Sequence, residues 1–482
     1  MTSIFARQKE VNELKRIHES GKPEFLAVYG RRRVGKTYLI REFFKSRGLY
    51  FALTGIKKAS LRKQLRNFSV ELARVFGKDL GYKAPKDWQE AFSQLREAIE
   101  KVKKQDRIIL FFDELPWLAS PKSEFLQDLD HFWNRYMSGD SRIIVVICGS
   151  AASWMIKKVI RDKGGLHGRL TAQIRLLPFD LRETEEYLRQ EGLEFSRKEV
   201  LDIYMAIGGI PKYLNYIKRG TSPLQIVSAL CFEGALVDEF QELYSSLFDK
   251  HERHVSVIQA LAERLNGLTK AEISKKTGFS MGGGLNMILE ELEQSGFILP
   301  IREFGNRKKE IRYRLIDEYS LFYLKWADRA KENNLRWQDE EFWKTLYSTS
   351  VGQSWSGYAF ETVCFKHLPN IKKALGISGV LTSASGWVYK PPKGSKEHGI
   401  QVDLLIDRAD HCINLCEIKY SSKEFTINRA YDKVLREKKW TFVEETKTKK
   451  SVHLTLISPY GVNKKSLYFG TPDTVLTMDA LF

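Results

Sequence analysis

Residues 25–44, FLAVYGRRRVGKTYLIREFF, decide the fold of the first part of the chain. The apolar run FLAVY leads into GRRRVGKT, and YLIREFF follows, which is typical of a strand, a glycine loop and a helix in succession. Gly30 and Gly35 allow backbone amides of the loop to turn towards phosphate oxygens. Lys36 is then expected to reach the β and γ phosphates, and Thr37 to bind magnesium. The stretch therefore predicts a phosphate-binding loop whose ligands are ATP and Mg²⁺.

Two further apolar runs end on polar side chains, as the strands of a parallel sheet do at a ligand site. RIILFFDEL, residues 107–115, ends on Asp113, expected to hold magnesium through water, and on Glu114, expected to polarise the attacking water. RIIVVICGSAAS reaches Ser150, whose hydroxyl is expected to sense the γ phosphate beside Asp113. The alternative that Glu114 only caps a helix explains one residue and not the set. The pattern predicts an α/β fold with a parallel sheet.

These stretches resemble the archaeal and bacterial P-loop ATPases of the AAA+ and STAND lineages over about residues 1–250. A first shared feature is the N-terminal pattern F-x-R-x-x-E-x-x-x-L, which in that family packs near the adenine. The residues that form it here are Phe5, Arg7, Glu10 and Leu14. The resemblance implies ATP hydrolysis and a helical lid that follows the sheet.

Two other motifs of that family concern the γ phosphate and the lid. Arg169, in GLHGRLTAQIRLLPF, matches an arginine suited to touching the γ phosphate, in cis or from a neighbouring subunit of a homo-oligomer. An ion pair with an acid in the core is the alternative role. GGIPKYL contains Gly209 and Pro211, which fit the G-x-P signature of the lid. The resemblance implies that Pro211 contributes to the nucleotide site.

The second informative stretch is QVDLLIDRADHCINLCEIKYS, residues 401–421, which reads as a β-hairpin. If its turn is symmetric about Asp410, Asp403 lies opposite Glu417, and Lys419 shares the face of Glu417. Opposed carboxylates repel unless a divalent cation or a shared proton lies between them. A half-exposed hairpin with one solvated face would also place charges at alternate positions.

Asp403, Glu417 and Lys419 resemble the D…ExK core of the PD-(D/E)xK nuclease superfamily. Glu361, in the helical pattern GQSWSGYAFETVCFKHL, occupies the place of the superfamily's first-helix glutamate. The proline that names the motif is absent, since QV precedes Asp403. The resemblance implies a restriction-endonuclease-like α/β domain. In it Glu361, Asp403 and Glu417 would bind Mg²⁺, and Lys419 would assist the attacking water.

Between these two ends the pattern changes to three short helices and a hairpin. ERHVSVIQALAERL, LTKAEISKKTG and GLNMILEELEQSGFI have helical spacing, and PIREFGNRKKEIRYRLI alternates across a Gly-Asn turn. This order predicts a winged helix-turn-helix whose basic wing contacts DNA, or which only packs on the nucleotide site. The predicted domains are an ATPase core at 1–175, a helical lid at 176–250, the winged helix-turn-helix at 251–325 and a nuclease-like domain with a helical connector at 326–482.

The charge balance points to a polyanionic partner. Among 482 residues, 78 Lys and Arg face 60 Asp and Glu, a net charge of +18, which favours phosphate neutralisation. DNA is the first candidate, and RNA is possible. A membrane partner is not expected, because no apolar run is long enough to span a bilayer and no basic amphipathic anchor stands out. Five scattered cysteines and a charged N-terminus predict a cytoplasmic protein.

Two hypotheses follow for the whole chain. The favoured one is an ATP-hydrolysing, DNA-associated protein whose C-terminal domain is a metal-dependent nuclease, suited to defence against foreign DNA or to the handling of mobile elements. The alternative is a nucleotide-switched regulator or scaffold whose nuclease-like domain binds nucleic acid without cutting it.

Overall fold

The computed structural model describes residues 4–77, 84–102, 107–161, 165–166, 168–248, 250–305, 311–332, 342–392, 394 and 398–482. The chain divides into an N-terminal unit, Met1–Pro178 with Ser246–Asp249, and a C-terminal unit, Phe179–Ser245 with Lys250–Phe482. The sequence predicts boundaries after residues 175, 250 and 325. These domain boundaries stay a prediction.

The N-terminal unit is built on a parallel sheet. Its elements are α1 (Gln8–Glu19), β1 (Glu24–Tyr29), α2 (Lys36–Phe44), β2 (Leu49–Thr54), α3 (Leu61–Phe76), α4 (Trp88–Glu100), β3 (Ile108–Asp113), α5 (Leu115–Leu118), α6 (Phe125–Phe132), β4 (Ile143–Gly149), α7 (Ala152–Met155) and β5 (Ala172–Arg175). Within its described residues the strand order is β2-β3-β4-β1-β5. Every residue of β3 and β4 is buried, as expected of parallel strands covered on both faces.

This sheet positions the site because parallel strands end at the same edge. The register pairs Tyr29 at the end of β1 with Gly149 at the end of β4, and Thr54 at the end of β2 with Asp113 at the end of β3. The polar residues that follow β1, β3 and β4 are therefore gathered at one edge. The predicted α/β fold with a parallel sheet is confirmed.

The C-terminal unit mixes helices with a second sheet. Its elements are α8 (Leu181–Gln190), α9 (Arg197–Ile207), α10 (Pro211–Leu214), α11 (Pro223–Cys231), α12 (Glu239–Leu247), α13 (His251–Ala262), β6 (Leu268–Thr269), α14 (Lys270–Thr277), α15 (Gly283–Gln294), β7 (Ile298–Glu303), β8 (Ile311–Leu315), α16 (Glu318–Phe322), α17 (Asp328–Glu332), α18 (Phe342–Tyr347), α19 (Ser350–Lys366), α20 (Leu368–Ala374), β9 (Thr382–Tyr389), β10 (Ile400–Arg408), β11 (Cys412–Ile418), α21 (Arg429–Thr446), β12 (Ser451–Ile457) and β13 (Thr474–Leu476). Among the described residues no helix combines the length and the apolar character needed to cross a bilayer.

Local sequence signals explain where several of these helices begin. Helix α14 starts at a capping box in which Thr269 and Glu272 satisfy each other's backbone amides, and it ends at Gly278 in the left-handed conformation. Helices α8 and α9 begin with capping boxes of the same kind. The helices and the hairpin strands expected between residues 251 and 315 are present, whereas their role as a DNA-binding winged helix stays a prediction.

The hairpin differs from a freely projecting wing. Strand β7 pairs antiparallel with β8 on one side and parallel with β9 on the other, where Arg302 lies opposite Ser385. In the described part of the chain the sheet therefore runs β13-β12-β11-β10-β9-β7-β8-β6. Pairing both edges of β7 removes an exposed strand edge. The predicted Gly-Asn turn includes residues 306–310, which lie outside the described residues.

His367 joins helix α8 to helix α19 within the C-terminal unit. Its Nε2 accepts a hydrogen bond from the Leu181 amide at 3.0 Å, so its Nδ1 carries the proton and donates to the Val363 carbonyl at 2.8 Å. The bond satisfies an amide in the first turn of α8 that has no intrahelical acceptor. Burial lowers the pKa of His367 to about 4.

We expect the C-terminal unit to lose stability as the pH falls from about 6.5, the pKa of an unfolded histidine, to about 4. The neutral imidazole contributes fully above this window, and the contribution is lost below it because only the unfolded chain takes up the proton readily. The loss should reach about 3 kcal/mol, measured by denaturant unfolding at several pH values. In a His367→Gln variant this part of the pH dependence should disappear, and its persistence would contradict the assignment.

Candidate nucleotide site and carboxylate cluster

The phosphate loop follows β1 with the backbone conformations that its glycines permit. Gly30 has φ 152°, and a Cβ there would lie 2.1 Å from the carbonyl oxygen of Leu176. Gly35 has φ 90° and precedes the first residue of α2. A side chain at Gly30 would therefore force β1 and the segment after β5 apart, which explains why glycine occupies this position.

Lys36 spans the loop from the first turn of α2. Its ammonium donates to the carbonyl oxygens of Gly30 and Arg31 at 3.0 and 2.9 Å, and the side chain is buried. These bonds hold a positive charge over the loop without an acidic partner among the described residues. The loop amides and this charge fit the phosphates of ATP, whose γ phosphate supplies the bond to be hydrolysed.

The predicted magnesium ligands lie side by side. The Thr37 hydroxyl donates to Oδ2 of Asp113 at 2.8 Å, while Oδ1 of Asp113 accepts the Glu114 amide at 2.9 Å. Asp113 is only 2% exposed. A hydroxyl and a carboxylate at the phosphate edge are hard oxygen donors of the kind that Mg²⁺ prefers, so the residues fit that ion.

Glu114 adopts a strained backbone at the turn between β3 and α5. Its φ of 49° places a non-glycine residue in the left-handed region, which costs about 1–3 kcal/mol and is concentrated at functional sites. Its carboxylate accepts a hydrogen bond from the Ser150 hydroxyl, which follows β4. This bond orients the residue predicted to act on water. The expected role of Ser150 in sensing the γ phosphate beside Asp113 stays a prediction.

Arg7 connects the N-terminal segment to the phosphate loop. Its guanidinium, 5% exposed, donates to the carbonyl oxygens of Val34 in the loop and Leu177 after β5, at 3.3 and 2.7 Å. The adenine contact implied for the pattern that contains Arg7 stays a prediction. These bonds show a structural role for Arg7 that the sequence did not reveal.

Arg169 lies away from the phosphate edge. The amide of its neighbour Thr171 bonds to the carbonyl of Phe25 near the start of β1 at 2.9 Å, whereas the phosphate loop follows the end of that strand. Six residues of strand separate the two levels by about 20 Å. Arg169 is 3.5 Å from Asp130 at the surface. A contact of Arg169 with the γ phosphate, in cis or from a neighbouring subunit, stays a prediction.

The lid motif forms a tight turn between α9 and α10. Gly208 ends α9 with φ 66°, and a Cβ on Gly209 would lie 2.1 Å from the carbonyl oxygen of Phe179. Pro211 is the first residue of α10, where a missing amide hydrogen costs nothing. The role of Pro211 at the nucleotide stays a prediction.

In the C-terminal unit, β10 and β11 pair as expected. Their register places Leu404 opposite Cys416 and Asp407 opposite Ile413, so the next pair along the hairpin is Asp403 and Glu417. The Ile418 amide contacts the Asp403 carboxylate at 3.4 Å. The symmetric turn therefore brings the two carboxylates of the motif together, on strands at the centre of the second sheet.

Glu417 is contacted by two ammonium groups and a tyrosine hydroxyl. It is 1% exposed, and its carboxylate accepts Lys438 Nζ and the Tyr431 hydroxyl, each at 2.7 Å, with Lys419 Nζ at 3.2 Å. Burial acts to raise its pKa, but the two ammonium groups hold the pKa of Glu417 below its ordinary value. Although burial opposes it, the carboxylates of Glu417 and Asp403 raise the pKa of Lys419.

The third predicted acid, Glu361, also has a cationic partner. Glu361 on α19 accepts the buried guanidinium of Arg314 at 3.1 Å. Burial and the carboxylates of Glu361 and Glu417 raise the pKa of Asp403 to about 7. In the described ranges no three Asp, Glu, His or Cys side chains come together closely enough to hold a metal ion. The roles of Glu361, Asp403 and Glu417 as metal ligands stay a prediction.

We call Glu361, Asp403 and Glu417 the carboxylate cluster. The sequence did not indicate which cations contact it. Lys438 and Tyr431 are seven residues apart on α21 and so share a helix face, but nothing in the sequence indicates that this face packs on β11. Arg314 lies on β8, which is far from α19 in sequence. The helical spacing on α21 is the one local signal that could have suggested a shared target.

The same cluster is tied to helix α9. Tyr420, next to Lys419, donates to the Asp202 carboxylate at 2.9 Å and contacts the Tyr347 hydroxyl at 3.0 Å. Lys198, one turn earlier on α9, lies 2.6 Å from Asp202. Burial raises the pKa of Asp202. Helix α9, which leads into the lid motif, is thus hydrogen-bonded to the residue that follows the ExK triplet.

Replacing Glu114 with Gln is expected to lower ATP hydrolysis by about 100-fold to 10,000-fold with little change in nucleotide affinity, because general-base assistance is lost. Phosphate release and binding of a fluorescent nucleotide measure the two effects. Glu124→Gln is the matched control, since Glu124 is another glutamate with positive φ, 57°, at the start of α6. Equal effects of the two changes would contradict a catalytic role for Glu114.

Comparisons with known proteins agree with this geometry. Residues 4–217 match the model of a family described as an ATPase domain predominantly from Archaea. An uncharacterised protein of Methanocaldococcus jannaschii is 25% identical over 445 residues, which are 90% of this chain and 91% of that protein.

Three solved structures are similar at TM-scores below 0.5, where likeness carries nothing about function. A Walker-type ATPase of Pyrococcus abyssi has 20% identity and a TM-score of 0.48, covering 67% of this chain and 96% of its own. The ORC2 protein of Aeropyrum pernix has 16% identity and a TM-score of 0.41, covering 69% and 96%. Drosophila ORC bound to DNA has 15% identity and a TM-score of 0.32, covering 67% and 87%.

The family match covers the phosphate loop, Asp113, Glu114 and the lid motif. It agrees with the arrangement of these residues at one edge of the parallel sheet. Residues 4–217 therefore form a P-loop ATPase domain, and the protein is an ATPase.

Proposed function

We propose that ATP turnover governs a C-terminal unit that cuts nucleic acid with the help of a divalent cation. The observation that carries the proposal is the position of Asp403 opposite Glu417, with Lys419 beside them. Such a group of charges at the centre of a sheet is costly, and it has the composition of a phosphodiester-cleaving site. DNA is the favoured substrate because of the net charge of +18.

The carboxylates of Asp403 and Glu417 are oxygen donors that suit Mg²⁺, whereas Glu361 is held by Arg314. The residues therefore fit a cation that is held by two carboxylates, those of Asp403 and Glu417. A cation there would supply Lewis-acid polarisation of the phosphate. Lys419 would orient the attacking water and stabilise negative charge on the phosphate. Tyr431 and Lys438 would keep the Glu417 carboxylate fixed.

The contacts of helix α9 support coupling to the ATPase domain. The family match extends to residue 217 and so includes α8, α9 and α10. Those helices lie in the same compact unit as the carboxylate cluster, and α9 bonds to Tyr420 through Asp202. A change in the lid that accompanies ATP binding would therefore act directly on the strand end that carries Lys419.

Asp403→Asn should lower cleavage of plasmid or single-stranded DNA by about 100-fold or more. ATP hydrolysis and DNA affinity should be unchanged. Lys36→Ala should weaken ATP binding by about 10-fold to 100-fold, because a charge-assisted contact is lost. Cleavage assays with magnesium or manganese, with and without ATP, measure the first effect. Asp407→Asn, on the same strand and away from the cluster, is the matched control. Absence of any cleavage by the wild-type protein while ATP is consumed would remove the nuclease part of the proposal.

A second candidate function is an ATP-switched nucleic-acid binder that does not cut. The enclosure of Glu417 by two lysines and a tyrosine favours it, because these groups satisfy the carboxylate without a metal. Under this alternative, Asp403→Asn changes DNA affinity or changes nothing, and no product is formed at any metal concentration.

Asp202→Ala should reduce the effect of ATP on cleavage by about tenfold while ATP hydrolysis continues. The reason is that Tyr420 loses a hydrogen bond to a charged group, worth about 1.5–3 kcal/mol. The comparison is the ratio of cleavage rates with and without ATP in the variant and the wild type. Asp432→Ala on α21 is the control, because the Asp432 carboxylate forms its ion pair with Arg436. An unchanged ratio would show that α9 does not transmit the nucleotide state.

A further inference from the structure

The segment after β2 is a concentration of unpaired positive charge. Residues 55–70, GIKKASLRKQLRNFSV, contain no Asp or Glu. The cations in it are all exposed, and no ion pair of the described residues involves them. We name this set the basic strip: Lys57, Lys58, Arg62, Lys63 and Arg66.

Helix α3 presents part of the strip on one face. Arg66 lies four residues after Arg62 and three after Lys63, so it shares a side of the helix with both of them. The opposite side, with Leu65 and Phe68, is buried in the core of the N-terminal unit. The helix is thus anchored by its apolar face, and its cations are displayed to solvent at fixed spacing.

The strip is attached to the turn that carries Glu114. Buried Gln64 donates to the carbonyl oxygens of Ile56 and Trp117 at 2.9 and 3.1 Å, and it accepts the Ile56 amide at 3.2 Å. Trp117 lies in α5, three residues after Glu114. One side chain therefore joins the beginning of the strip, helix α3 and the helix that follows the strained glutamate.

Gly55 provides a second attachment. Its amide donates to the Asp113 carbonyl at 2.9 Å, and a Cβ on it would lie 2.7 Å from the carbonyl oxygen of Glu114. The backbone that leads into the strip therefore packs directly against the turn containing Glu114. A shift of the strip would displace that turn, because neither contact leaves room for independent movement.

We propose that the basic strip binds the phosphate backbone of a nucleic acid and that this binding stimulates ATP hydrolysis through the turn at Glu114. The site lies in the N-terminal unit and is separate from the carboxylate cluster, so it does not depend on the proposed cleavage. A nucleic acid is favoured because five exposed cations in a segment without acidic residues suit a repeating polyanion, with counterion release supplying the affinity. The phosphates of ATP itself are accounted for by Lys36 and the loop glycines.

The binding part is tested with Arg62→Ala/Arg66→Ala in the full chain. Short fluorescent single-stranded DNA, duplex DNA and RNA are titrated at several salt concentrations in an Asp403→Asn background, so that the probe stays intact. Loss of two phosphate contacts should reduce the slope of log affinity against log salt by about 2 for duplex DNA. Lys9→Ala/Lys15→Ala removes the same charge from the exposed face of α1 and should leave the slope nearly unchanged. Equal slopes for both double variants would overturn the assignment of the strip.

The coupling part is tested with Gln64→Leu, which keeps the buried volume and removes the hydrogen bonds to Ile56 and Trp117. The variant should retain the nucleic-acid affinity and salt slope of the parent. Its ATP hydrolysis should lose most of the stimulation by nucleic acid, while its thermal unfolding shows that the unit is folded. Stimulation equal to that of the parent would overturn the coupling.

A polyanion without a nucleic-acid backbone distinguishes binding of nucleic acid from binding of any polyanion. Polyglutamate of matched charge should compete poorly for the strip and should stimulate hydrolysis less than DNA or RNA. Equal stimulation by polyglutamate would overturn the choice of nucleic acid. If DNA stimulates ATP hydrolysis and this stimulation depends on the strip, the proposal holds even if the carboxylate cluster cannot cut DNA.

Discussion

In each unit the buried carboxylate at the candidate site takes its partners from a different element, and these contacts fix the site. Asp113 at the end of β3 accepts Thr37 from α2, and Glu417 on β11 accepts Lys438 and Tyr431 from α21. A buried carboxylate without such partners would cost several kcal/mol. The packing of α2 on β3 and of α21 on β11 therefore fixes the positions of these two carboxylates.

The sequence predicted those parts of the sites that depend on local order along the chain. The phosphate loop, the two acids after β3 and the serine after β4 follow strands whose apolar runs are continuous, so their meeting at one sheet edge could be anticipated. The symmetric turn was enough to place Asp403 opposite Glu417. In both cases the distances follow from the regular geometry of strands.

The remaining features depend on contacts between distant segments. Lys438 and Arg314 reach their carboxylates from α21 and β8, and β7 finds its second partner in β9. Ser150 bonds to Glu114, which follows Asp113 in a left-handed turn, and the sequence did not indicate this bond. The contact between Arg169 and Asp130 also joins distant segments. A motif gives the order of residues, but the end of the strand at which a side chain lies depends on the register with β1.

The two proposed routes between these sites and ATP turnover depend on different physical effects. Asp202 and Tyr420 form a hydrogen bond in a partly buried setting, which is insensitive to salt and rigid in geometry. The basic strip acts through exposed charges, which are screened over about 10 Å at 0.1 M salt. Raising the salt concentration should therefore weaken any effect of nucleic acid on hydrolysis before it weakens the link between α9 and Lys419. The two routes can thus be separated by ionic strength in the unmodified protein.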